Sequence, residues 1–153
     1  MPIFRFRAAA ALDLRVQEEK DALVARSRAE ARFREVHEAL LAQQRLRETA
    51  QTNLVHLQRQ GSDVDTVLWH RNWIVRLAVE VDELRRDLED RAREVQAADL
   101  VWREARKRRM ALERMRELAW KRFQKDELRQ EMKSMDELAR IRYVMPDSWR
   151  TET

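Results

Sequence analysis

The chain has 153 residues, with 32 Lys and Arg against 28 Asp and Glu, one Gly, two Pro and no Cys. It is long enough for one domain but too poor in turn residues for a globule of many short elements. Its Ala, Leu, Arg, Glu, Gln and Lys favour long helices or a coiled coil, and the missing thiols exclude disulfides, thiolate zinc sites and a cysteine nucleophile.

The opening, MPIFRFRAAAALDLR, has no long apolar core and reaches Asp13 at once, so it does not read as a signal peptide. No apolar run approaches the ~20 residues that cross a bilayer. A reducing cytosol is the simple compartment.

A first helix is predicted over about 5–60. Phe33, Val36, Leu40, Gln43, Arg47, Ala50, Leu54 and Leu57 follow alternating spacings of three and four. That is a heptad seam facing one partner helix. Before Phe33 the phase slips, with Leu12, Val16 and Leu23 in a shifted register among Ala22, Ala25 and Ala29.

Gly61, Ser62 and Asp63 then interrupt the pattern. Glycine tolerates the left-handed conformation that ends a helix, and Ser or Asp can cap the next one. A turn over 61–64 is expected, making the two arms an αα-hairpin.

A second helix is predicted over about 65–145. From Ile74 the same spacing runs through Leu77, Val81, Leu84, Leu88, Arg91, Val95, Ala98, Trp102, Ala105, Arg109, Leu112, Arg116 and Ala119 to Phe123. Beyond Phe123 the phase shifts, through Leu128, Met132, Met135 and Leu138 to Ile141. Pro146 stops the helix, and 146–153, with Trp149, forms a flexible tail. The fold class is all-α, a long antiparallel two-helix coiled-coil hairpin with an overhanging C-terminal helix, in one domain over 1–153. Folding about residue 62 sets residue 5 against about residue 120. The last ~25 residues then have no partner within the chain and imply an external one, or fraying.

No catalytic constellation appears. His37, His56 and His70 are scattered, no zinc-protease motif occurs, and one glycine cannot build a phosphate loop. Two paired helices enclose no pocket that would shift a pKa or exclude water. No catalytic site, metal or cofactor is expected, and the chain reads as a non-enzyme.

Charge is uneven. Residues 62–100 hold ten acids and six bases, while 103–129 hold eleven bases and five acids. The basic stretch 103–116 is unlike a zipper's DNA-binding region. The seam passes through it at Ala105 and Leu112, and Glu104 and Glu113 interleave. A solvated face, or an acidic protein partner, fits better than nucleic acid. Trp69 and Trp73 lie four apart beside the turn, so they share a helix face. Contact with a partner and packing that caps the tip are both open readings of that pair.

The C-terminal arm, VWREARKRRMALERMRELAWKRFQKDELRQEMKSMDELARIR, resembles the flagellar FliJ proteins. It has their basic stretch, a Leu-Glu-Arg-like segment, a run rich in Glu, Arg and Gln, and a closing Asp-Glu pair, here Asp136-Glu137. The start FRFRAAAALDLRVQEEKDA is similar to the family's opening. The resemblance implies a two-helix stalk of the flagellar type III export apparatus, in the cytoplasm at the inner face of the membrane and not inserted in it. Its implied partners are the hexameric export ATPase, the cytoplasmic part of the export gate, and export chaperones. Injectisome stalk proteins are relatives, and a homodimeric coiled-coil scaffold is the rival class. On this reading Arg106, Lys107, Arg108, Arg114, Lys121, Arg122, Phe123, Leu128, Met132 and Met135 are expected to meet the ATPase ring. Trp69 and Trp73 are expected to meet the gate.

Overall fold

The computed structural model describes residues 2–144. The expected stop at Pro146 and the tail with Trp149 lie outside the described residues. Two helices make up the described fold, α1 over Ala9–Arg59 and α2 over Val64–Val144, packed as an antiparallel hairpin. By contact the chain divides into two compact units, Gln17–Arg106 and Met1–Val16 with Lys107–Thr153.

Gly61 makes the turn. It is the one residue described with positive φ, at 71°. The Ser62 amide donates to the Leu57 carbonyl at 3.2 Å, and the Gly61 amide donates to Gln58 at 3.3 Å. This pair of bonds is a Schellman cap, which satisfies the carbonyls left over at the end of α1. Two residues on, the Val67 amide donates to the Asp63 carbonyl at 3.1 Å, so Asp63 stands at the N-cap of α2. The chain reverses within four residues, and the end of α1 is closed by backbone bonds alone.

The seam of α1 differs from its expected course. From Leu12 to Leu57 one line of buried and half-buried positions keeps spacings of three and four without a slip. Leu12, Ala22, Ala29, Leu40 and Ala50 are buried along this line, whereas Leu23 is 45% exposed. The slip was an artefact of following large apolar residues. Arg15, Glu19 and Arg26 occupy seam positions and are half-buried. Long charged side chains can cover apolar surface with their stems while their heads reach water.

On α2 the expected seam is kept. Leu77 and Val81 are fully buried, and half-buried positions continue from Leu84 through Arg91, Trp102 and Leu112. Ala119 and Phe123 are half-buried in turn, while Arg116 is exposed. Among the described residues no buried side chain is charged or polar as a whole, but Gln43 Oε1 and Arg47 Nε are buried atoms without a hydrogen-bond partner. Such atoms weaken a seam, because their lost hydration is not replaced.

In the unit containing the chain's start, residues 2–6 stay outside the helix, and the Ala9 amide donates to the Phe6 carbonyl at the first turn. Phe4 lies 5.0 Å from Trp120 and 5.5 Å from Phe123, centroid to centroid. Pro2 lines a shallow groove with Glu127, Glu131, Ser134 and Leu138. Phe4 thus meets α2 near residue 120, where the fold about the turn was expected to set the chain's start, and residues 128–144 beyond it are exposed throughout, as an overhanging C-terminal helix.

Because no heavy atom lies within 4 Å of a Cβ built on Gly61, a side chain there meets strain and not a clash. Gly61→Ala should lower stability by about 1–2 kcal/mol, and Gly61→Asn by less. Thermal unfolding followed at the helical circular-dichroism band checks both; equal midpoints for all three chains would show that the left-handed turn is dispensable.

Candidate protein-interaction surfaces

In the unit Gln17–Arg106 the tip is aromatic. Trp69 and Trp73 stack with planes 13° apart at 6.3 Å, and His70 meets Trp69 edge-on at 4.9 Å. The i,i+4 spacing on α2 places the indoles on one face. Trp73 is half-buried beside the seam, but Trp69 is 62% exposed. Exposed Val64, Leu68 and Val75 extend apolar surface around it.

The same unit holds a polar cluster that sequence reasoning missed. Arg26 Nε lies 3.4 Å from Asp99 Oδ1 and 3.1 Å from Glu30 Oε1. Its guanidinium sits 4.8 Å from the centre of the Trp102 ring, and that of Arg106 sits 5.4 Å from the same ring. Arg103 Nε completes the set, 2.8 Å from Asp99 Oδ2. The signal was present in the spacing, since Arg26 falls between Ala22 and Ala29 in the seam. Further toward the tip, Arg91 pairs with Glu94 at 3.2 Å and Asp87 at 3.4 Å. The hydrogen bond and charge of Glu94, then the charge of Asp87, raise its pKa further above the guanidinium range.

In the other unit α2 carries most of the basic band. Lys107, Arg114, Lys121, Met110 and Leu118 line one open groove with Glu113 and Glu117. Lys121 Nζ lies 3.0 Å from Glu117 Oε1. The hydrogen bond and charge of Lys121, with a smaller contribution from Arg114, hold the Glu117 carboxyl below the usual carboxylate range. The pair is therefore intact at neutral pH and is lost only as pH falls through that lowered value. Glu113 is drawn to Arg109, 2.6 Å away.

The expected ring-contact residues thus fall into different settings. Arg106 lies over Trp102 in the first unit. Lys107, Arg108, Arg114, Lys121 and Arg122 are exposed on α2 in the second. Phe123 is half-buried against Phe4, while Leu128, Met132 and Met135 are 58–69% exposed.

The family model for the flagellar FliJ protein matches residues 9–146. The chain belongs to the FliJ family. No curated protein sequence matches it. A solved structure described as a YscO homolog from Chlamydia trachomatis is similar to this FliJ-family chain with a TM-score of 0.52 and 21% identity. The likeness covers 92% of this chain and 96% of that one, and it is a likeness of fold. Among the described residues no helix of this FliJ-family chain is long and apolar enough to cross a membrane, and no three His, Cys, Asp or Glu side chains come together to hold a metal.

Arg26→Ala should destabilise the chain by about 1 kcal/mol, because it removes both a cation–π contact and a half-buried ion pair. Arg26→Lys should recover part of the loss. Urea unfolding measures both; a midpoint unmoved by Arg26→Ala would mean that the cluster contributes nothing to the pairing of the helices.

Proposed function

We propose that this protein is a non-enzymatic cytoplasmic stalk of the flagellar type III export apparatus, at the inner face of the membrane. The family match over 9–146 carries this reading. It engages the hexameric export ATPase through α2 from Arg106 onward and the export gate through the aromatic tip, and it assists the handling of export chaperones. The exposed cations and apolar side chains on α2 support a grip on a ring. Trp69, exposed beside a half-buried Trp73, supports a second contact. Interface hot spots favour an indole of this kind, large and anchored at its base.

Purified chain added to the export ATPase of the same organism should raise the hydrolysis rate saturably. Removing 124–153 should abolish the rise. Reversing Arg106, Lys107, Arg108, Arg114, Lys121 and Arg122 to Glu should weaken it and reduce its dependence on salt. No rise, with light scattering giving the mass of a dimer, would leave a homodimeric scaffold. Stimulation of an injectisome ATPase alone would move the chain to that system.

For the tip, Trp69→Ala combined with Trp73→Ala should abolish binding to the cytoplasmic part of the gate, with helicity retained. A collapse of helicity would show that the indoles serve the fold, and the gate contact would have to lie elsewhere.

A further inference from the structure

The seam is one of two heptad series on the C-terminal part of α2. Leu112, Ala119 and Phe123 belong to the seam and are half-buried. A second series stands two residues along, which is about 200° around the helix and so nearly opposite. Lys107, Arg114, Lys121, Leu128 and Met135 recur every seven residues. Ala111, Leu118, Lys125, Met132 and Ala139 interleave with them. Leu128, Met132, Met135 and Ala139 keep an apolar three-four spacing on this face, Leu118 and Ala111 lie on it a few turns earlier, and every position of the series from 107 to 139 is exposed.

A solvated helix face has no need of such a pattern, whereas a face that receives another helix does. Its charge is selective too. The whole chain holds 32 bases and 28 acids, so a neutral draw would put both signs on any face. This face has four cations, four large apolar side chains and no acid. Two of the acids beside it are engaged, Glu113 with Arg109 and Glu117 with Lys121.

The composition also selects the occupant. A second copy using the same face would set cations against cations if parallel, and if antiparallel would set them against Leu128, Met132 and Met135 with no carboxylate to meet them. A nucleic-acid backbone would leave Leu118, Leu128, Met132 and Met135 without a role. An acidic amphipathic helix meets both demands, with its apolar stripe on those side chains and its carboxylates flanking the cations.

We infer that residues 107–139 form a second seam that takes one acidic amphipathic helix of a partner protein. This names the kind of element a partner presents at the face assigned above to the ATPase ring, and to that extent rests on that reading. The test uses no ATPase, so the two can fail separately.

The probe is a fluorescent synthetic peptide of about four heptads, Leu at a and d and Glu at e and g, kept below the concentration at which it self-associates. A matched peptide carries Lys in place of Glu. Anisotropy against the full chain at neutral pH should show saturable binding of the Glu peptide and none of the Lys peptide. The triple change Leu128→Gln, Met132→Gln, Met135→Gln should weaken binding about tenfold, as should Lys107→Glu, Arg114→Glu, Lys125→Glu. Circular dichroism should show helicity kept in both, since all six side chains are exposed. Absence of binding, equal binding of the two peptides, or indifference to the apolar triple overturns the inference. A DNA duplex that displaces the Glu peptide from wild type and apolar triple alike also overturns it, in favour of phosphate.

Discussion

Everything in the unit Gln17–Arg106 depends on register, and register depends on one left-handed residue. Heptad seams are self-similar, so two of them can slide by seven residues and still bury apolar side chains. The Schellman cap at Gly61 removes that freedom by fixing where α1 ends and where α2 begins. The Arg26 cluster fixes the pairing a second time, about 35 residues from the turn along each arm. An ion pair to Asp99 and a ring contact to Trp102 are satisfied in one alignment only. A slide of one heptad would strand both.

The seam is otherwise thin. Its most buried positions include three alanines, and among the described residues only Leu77 and Val81 are wholly enclosed. Alanine lets helices approach closely but removes little apolar area from water. Gln43 and Arg47 add buried polar atoms without partners. Stepping antiparallel from the Arg26–Asp99 pair puts them at about the height of Leu77 to Leu84, so the best-packed stretch and the least satisfied one coincide. In the proposed role such a pairing suits a component whose full stability is reached on its partners, because binding to the folded form adds to a modest intrinsic stability.

The second arm was legible because its seam is written in large apolar residues, and the turn because Gly61 has no competitor. The first arm was less so. Its seam between 12 and 29 is made of small or charged residues, so a search for Leu and Val found Leu23, on the exposed side, and inferred a slip. At the chain's start the pairing was legible, since Phe4 lies against Trp120 and Phe123, but the start of α1 at Ala9 was not, because helical spacing says nothing about a segment that is not helical. The stack of Trp69 on Trp73 follows from single-helix spacing, whereas the contact of Arg26 with Trp102 lies across the hairpin, which no single-helix pattern contains.

The phase shift read beyond Phe123 has a more economical origin than a change of supercoil. Leu128, Met132 and Met135 do not begin a displaced seam. They continue a series that is already present at Lys107, on the opposite side of the helix, and that stays hidden until its cations give way to apolar residues. The first series loses its apolar character past Phe123, against which Phe4 of the extended start packs. Two faces of one helix are thus specified by two interleaved repeats in the same forty residues. One is closed by the chain itself. The other keeps its spacing, its sign of charge and its exposure, and those three properties together are hard to maintain by accident in a chain whose acids and bases are nearly balanced.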